Sequence, residues 1–241
     1  MERSRATPSL RTGPNACGLA PPPPKCDSNA MAYFTDLVRG YRRFRSEHWA
    51  KERARWADLR QSQSPRVMVI ACSDSRVDPS MVFDTSPGEI FVLRNIANLV
   101  PPFETDGSRH GVSAAIEFAV TQLKVAEIVV MGHGACGGVK AALTQGFDGK
   151  APGEGGFIHH WIDVLDDARA RVIEAHGMGD DAVHALELEG IRTSLANLRT
   201  FPFVRAAEAA GTLTLHGAYF AIADGELHIM DDDGNFEPAG H

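Results

Sequence analysis

Three short apolar runs restrict the fold of this chain more than any other feature of it. They are Arg66 to Ala71 (RVMVIA), Glu89 to Leu93 (EIFVL, followed by Arg94) and Glu127 to Met131 (EIVVM). Runs of this length, bounded by polar and turn-forming residues, suit strands buried on both faces. Between the last two, Val112, Ala115, Ile116, Ala119, Val120 and Leu123 recur at helical spacing. Strands separated by helices predict βαβ units, hence an α/β fold with a mostly parallel central sheet flanked by helices. Ligands then gather at the carboxyl ends of the strands.

The flanking segments complete the expected organisation. Met31 to about Leu59 has a helical pattern, with Phe34, Leu37, Val38, Tyr41 and Phe44 on one face. This N-terminal helical extension docks either on its own domain or on a partner subunit. Residues 1–30 hold 6 of the 14 prolines and show no apolar periodicity, as expected of a disordered leader. Such a leader is either an organellar targeting segment or the product of a start assigned upstream of Met31. Beyond Gly153 the pattern is helical over Phe157 to His176, Asp181 to Thr200 and a short stretch after Pro202. Thr212 to Ile222 and Glu226 to Met230 then flank Ala223-Asp224-Gly225, a hairpin signal. Residues 31–241 read as one domain with a helical C-terminal half ending in a hairpin.

Charge and cysteine usage narrow the function classes. With 24 Lys and Arg against 31 Asp and Glu, the net charge is −7, which argues against a nucleic-acid partner. No run approaches the roughly 20 apolar residues of a membrane span, and the first 30 residues lack the apolar centre of a secretory signal. A cytoplasmic location is expected. Four cysteines, of which Cys17 and Cys26 fall in the leader, are too few for a disulfide scaffold of this size and point to metal binding or chemistry.

Two of the strand-like runs end in polar clusters. One is Cys72-Ser73-Asp74-Ser75-Arg76, the other Gly132-His133-Gly134-Ala135-Cys136-Gly137-Gly138. Neighbouring parallel strands would bring Cys72, His133 and Cys136 to one sheet edge. Two thiolates and an imidazole suit zinc, and three ligands leave the fourth position open for water, the arrangement of a catalytic site. Two thiolates also cancel the charge of Zn²⁺, so its power to acidify water needs support. Asp74 can accept a hydrogen bond from a hydroxide on zinc, and Arg76 can hold that carboxylate ionised.

Taken together, Cys72-Ser-Asp-Ser-Arg76 and His133-x-x-Cys136 resemble the signature of the β-class carbonic anhydrases, lyases that interconvert carbon dioxide and bicarbonate. The likeness includes Gln63-Ser-Pro, Pro87-Gly88-Glu89, Arg94-Asn95-Ile96-Ala97-Asn98 and His133 to Lys140, and covers roughly residues 35–230. The resemblance implies one zinc per chain on Cys72, His133 and Cys136, with Asp74 and Arg76 as the catalytic pair. It places Gln63, Phe91, Ile96, Phe118 and Gly137 along a substrate cleft shared across a dimer interface, and implies a homodimer or higher even-numbered assembly. Phe118 stands where the plant-like pattern has Tyr, which removes a hydroxyl. In a bicarbonate-regulated type of the family the aspartate closes onto zinc. That type has Trp and Gly where this chain has Val69 and Ala71, so the open, hydroxide-bearing form is expected here. At low pH, where hydroxide is scarce, Asp74 can serve as a fourth ligand.

Other readings of the same residues are weaker. Gly132-x-Gly134-x-x-Gly137 satisfies the dinucleotide-binding fingerprint formally, but its variable positions hold His133 and Cys136, and no second strand ending in an acid follows. A Cys-His hydrolase needs one thiol rather than two and gives Asp74 and Arg76 no task. A structural zinc site in a binding protein calls for a fourth Cys or His, and Cys17 or Cys26 could supply it only from the disordered leader. Hydrolysis of carbonyl sulfide or carbon disulfide on the same zinc site is the nearest alternative chemistry.

Overall fold

The computed structural model describes residues 33–240, so the predicted leader over residues 1–30 lies outside them. The chain separates into two compact units, one ending at Ala57 and one beginning at Asp58. The first carries α1 (Phe34–Arg43), which widens into π-helical turns over Phe44–Trp49, and α2 (Arg53–Leu59) runs across the boundary between the two. The single helix expected over this stretch is thus interrupted. The Ser46 hydroxyl donates to the carbonyls of Arg42 and Arg43 at 3.0 and 3.1 Å, a competition that loosens the helical ladder. Phe34, Leu37 and Tyr41 lie exposed on α1, while Phe44 meets Trp56 edge-on.

The second unit is built on a six-stranded sheet. Its strands are β1 (Val67–Cys72), β2 (Ile90–Asn95), β3 (Glu127–His133), β4 (Thr214–Ala221), β5 (Glu226–Met230) and β6 (Phe236–Pro238), in the order β2-β1-β3-β4-β5-β6. The first four are parallel, and β5 and β6 add antiparallel strands at one edge. The predicted strands are all present, and β1, β2 and β3 run one to two residues past their last apolar position, to Cys72, Asn95 and His133. Polar side chains there do not stop the backbone ladder, because the Ser73 N–H still donates to the Asn95 carbonyl at 2.7 Å.

Helices cover both faces. They are α3 (Pro79–Val82), α4 (Gly111–Glu117, continued by π-helical turns over Phe118–Leu123), α5 (Gly137–Thr144), α6 (Gly156–Ile162), α7 (Asp166–His176), α8 (Asp180–Leu198) and α9 (Pro202–Ala209). The helix expected over 157–176 is divided by a 3₁₀ turn at Asp163–Leu165. Both α3 and β6 are too short to leave a periodic signal in the sequence. No helix among the described residues is long and apolar enough to cross a membrane.

Strand alternation sorts the core. On β1, Met68 and Ile70 pack with Ile116, Ile128, Ile191 and Leu195, whereas Val69 and Ala71 pack with Met131 and Ala218. Cys72 joins Cys136, Val139, Leu143 and Leu186 in a third cluster. Helix α8 presses closely on β3, since a Cβ built on Gly132 would lie 2.7 Å from Ile191 Cδ1. Only a residue without a side chain permits that approach.

Candidate metal centre

Parallel pairing of β1 with β3 puts their carboxyl ends side by side. Cys72 ends β1, His133 ends β3, and Cys136 opens α5 at the cap position. All three are buried. Their ligand atoms lie within 4.8 Å of one another. Zinc–ligand bonds of about 2.0–2.3 Å in a tetrahedron need ligand atoms about 3.3–3.8 Å apart, so the group is of the right size.

The donor chemistry fits as well. His133 Nδ1 lies 3.0 Å from the Gly134 carbonyl. That bond makes Nδ1 the protonated nitrogen and leaves the lone pair on Nε2. Nε2 is buried without a hydrogen-bond partner among the described residues, a loss that a metal would make good. Burial pulls the His133 pKa down, but the Cys72 thiolate, the Gly134 carbonyl and Asp74 together raise it. The thiolate acts here as a charged neighbour, since its geometry does not make it a hydrogen-bond partner of Nε2.

The two thiols are electrostatically unequal. Cys72 is lowered to about 4, first by a hydrogen bond from Cys136 and against the cost of burial, with help from His133 and from the N–H groups of Asp74 and Ala97. Cys136 is pushed upward by the Cys72 thiolate and by burial, partly offset by the N–H groups of Val139 and Gly138. Backbone N–H groups thus help to offset the cost of burial at each thiol. Donors of this kind draw charge from thiolates and leave a bound cation more electrophilic.

Asp74 and Arg76 form the pair the sequence predicts. Arg76 Nε donates to Asp74 Oδ1 at 2.9 Å and Nη2 to Oδ2 at 2.7 Å, a two-pronged contact, while the Arg76 N–H donates to Oδ1 at 3.0 Å. These bonds hold the Asp74 carboxyl far below the usual carboxylate range. Arg76 Nη2 also donates to the Ala135 carbonyl at 3.0 Å, tying the β1 cluster to the β3 cluster.

The five expected cleft residues have different surroundings. Phe91 and Phe118 meet with ring centroids 5.9 Å apart. Ile96 and Phe118 are exposed, as is Gly137 at the start of α5. Gln63 lies in the exposed segment ahead of β1. A Cβ on Gly138 would come within 2.8 Å of Ile96 Cγ2 and 3.1 Å of Ala97 Cβ. The loop after β2 therefore packs directly on α5.

Arg94 has a role that sequence reasoning missed. Its Nε donates to the Cys72 carbonyl at 2.9 Å, Nη2 to the Asp74 carbonyl at 2.6 Å and Nη1 to Asp78 at 2.8 Å. One guanidinium thus fixes the backbone of the whole Cys72–Asp78 loop. The available signal was a lone arginine directly behind an apolar strand.

Comparison with known proteins gives concordant matches. A family model described as carbonic anhydrase matches residues 67–227. Beta carbonic anhydrase 3 of Arabidopsis thaliana is 34% identical over 216 residues, which is 88% of this chain and 83% of that protein. Among solved structures, the β-carbonic anhydrase CcaA is similar with a TM-score of 0.79 and 31% identity, covering 86% of this chain and 92% of that one. A tetrameric β-carbonic anhydrase from Sordaria macrospora is similar with a TM-score of 0.61 and 29% identity, covering 86% and 93%.

Proposed function

Because this chain belongs to the β class of the carbonic anhydrases, we propose specific roles for its residues in the reaction of that family. The protein is a lyase that interconverts carbon dioxide and bicarbonate, with zinc as its cofactor. Cys72, His133 and Cys136 hold the ion. When bound, zinc supplies the Lewis acidity that turns water into a nucleophile without a strong base.

The observation that carries the role of Asp74 is the two-pronged Arg76 contact beside the ligand group. A carboxylate held ionised in this way accepts a hydrogen bond from the attacking water and turns its lone pair toward carbon dioxide. Arg76 acts through Asp74, fixing its rotamer. Phe91, Ile96 and Phe118 supply an apolar wall for an apolar substrate, with Gln63 and Gly137 at the rim. We read the site as the open form, because Asp74 is committed to Arg76. The reaction consumes and releases small solutes, so the site needs no contact with nucleic acid or membrane.

A homodimer or larger even-numbered assembly is part of this reading. It is supported by the exposed apolar face of α1 and by the tetrameric relative. A cytoplasmic, reducing location is supported by a ligand set containing two free thiols.

Exchange of ¹⁸O between carbon dioxide and water, followed by mass spectrometry, tests the assignment. The purified protein should accelerate exchange, and Cys72→Ser should lose zinc and exchange together. Exchange that survives the loss of zinc would refute it.

A further inference from the structure

The buried carboxylate of Glu187 has no place in the reaction as described. It sits in the middle of α8, 4% exposed, between residues as apolar as Leu186 and Ile191. Both its oxygens are occupied. Oε1 accepts the backbone N–H of Cys136 at 2.9 Å, and Oε2 accepts the Tyr219 hydroxyl at 3.0 Å. Tyr219 is held in turn by His184 Nδ1 at 3.1 Å.

The peptide unit that Glu187 grips is the one gripped by Arg76. Its carbonyl, on Ala135, accepts from Arg76 Nη2 at 3.0 Å, and its N–H, on Cys136, donates to Glu187. Ala135 stands in the left-handed region at φ +54°, a conformation that L residues adopt only when their surroundings hold it. We infer that Glu187 is a positioning residue of the metal centre, clamping the Ala135–Cys136 peptide against Arg76 so that the Cys136 sulfur is presented to the metal. The inference rests on Cys72, His133 and Cys136 being the zinc ligands.

Three features support a positioning role over simple filling of space. A carboxylate buried among apolar residues is costly unless its bonds repay it, and here one of the two bonds goes to a ligand residue. Helix α8 also holds the loop after β2, where the Ser194 hydroxyl donates to the Asn98 carbonyl at 3.2 Å and Asn197 Nδ2 donates to the Val100 carbonyl at 2.8 Å. Ala97, in that loop, packs in the same buried cluster as Cys72 and Cys136. One helix therefore holds Cys136, through Glu187, and the 96–100 segment that packs in the cluster of Cys72.

The test is zinc transfer to an excess of chromophoric chelator, with the absorption spectrum of the cobalt(II)-substituted protein as second readout. Parent protein, Glu187→Ala, Glu187→Gln and Tyr219→Phe are compared after circular dichroism has established folding. Glu187→Ala should release zinc about 10–100-fold faster, the range for partners of metal ligands, and should shift the thiolate-to-cobalt bands. Glu187→Gln keeps an acceptor oxygen for the Cys136 N–H and should stay within a few-fold of the parent. Tyr219→Phe, which frees Oε2, should fall between them, and it decides the matter if Glu187→Ala does not fold. Parent-like release and spectrum in the decisive variant would overturn the inference. So would a Glu187→Gln protein as impaired as Glu187→Ala. If the parent bound no zinc, the ligand assignment itself would fail, an outcome distinct from both.

Discussion

Asp74 and Arg94 are neighbours in the structure, but they support the site in different ways. In the proposed role Asp74 offers its side chain to the reaction, so Asp74→Asn should remove a charged acceptor while leaving Cys72, His133 and Cys136 in place. The variant should retain zinc, measured by atomic emission, and lose about 10²–10⁴ in kcat/KM for carbon dioxide hydration, the usual loss for a positioned acid–base group. Parent-like activity at neutral pH would exclude the acceptor role. Arg94 offers no chemistry; its planar fork reaches two carbonyls and a carboxylate at once, a pattern that lysine cannot reproduce. Arg94→Lys should therefore lower stability in urea by about 2 kcal/mol, since charged hydrogen bonds are lost and two carbonyls are left short of a donor. The pairing of Asp74 with Arg76 was legible from sequence because both share a five-residue cluster with Cys72. The roles of Arg94 and Glu187 were not, because their partners lie 16–51 residues away in the chain and only the fold joins them.

At the level of elements, the contact between α5 and the loop after β2 governs the site. Gly138 faces Ile96 and Ala97 across a gap that admits no Cβ, and Ala97 is itself buried at φ +61°. Gly138→Ala should push the 96–98 segment away from Cys72. A destabilisation of about 1–3 kcal/mol is expected in thermal or urea melts, as for other overpacked cores, with faster zinc loss to a chelator. An unchanged melt and unchanged zinc retention would mean that the loop yields freely. The strands and long helices were legible because apolar runs and 3.6-residue spacing survive in the sequence without any partner. The interruption of the first helix was not, since Ser46 bonding back to the helix leaves no mark in the apolar pattern. The ends of β1, β2 and β3 were misjudged by one or two residues for a related reason: Cys72 and His133, of the candidate metal group, and Asn95, whose side chain bonds the Leu99 backbone, stand where an apolar run would continue.

For the whole molecule, metal and fold should be linked. The ligands come from two strands and the start of a helix, so the unfolded chain holds no comparable site and zinc binds the native state alone. At free zinc a thousandfold above Kd this contributes about 4 kcal/mol. Chelated protein should then melt roughly 8–16 °C lower, given about 2–4 °C per kcal/mol for a chain of this size, and added zinc should restore the transition. Equal melting temperatures with and without zinc would show that the ion is not bound at a native-only site. The central claim is tested most directly by stopped-flow hydration of carbon dioxide at pH 7 and pH 8.5, with zinc content measured on the same sample. The open-site account predicts about one zinc per chain and rapid hydration at both pH values. Full zinc content without hydration at either pH would contradict the activity, and hydration confined to pH 8.5 would contradict the open site.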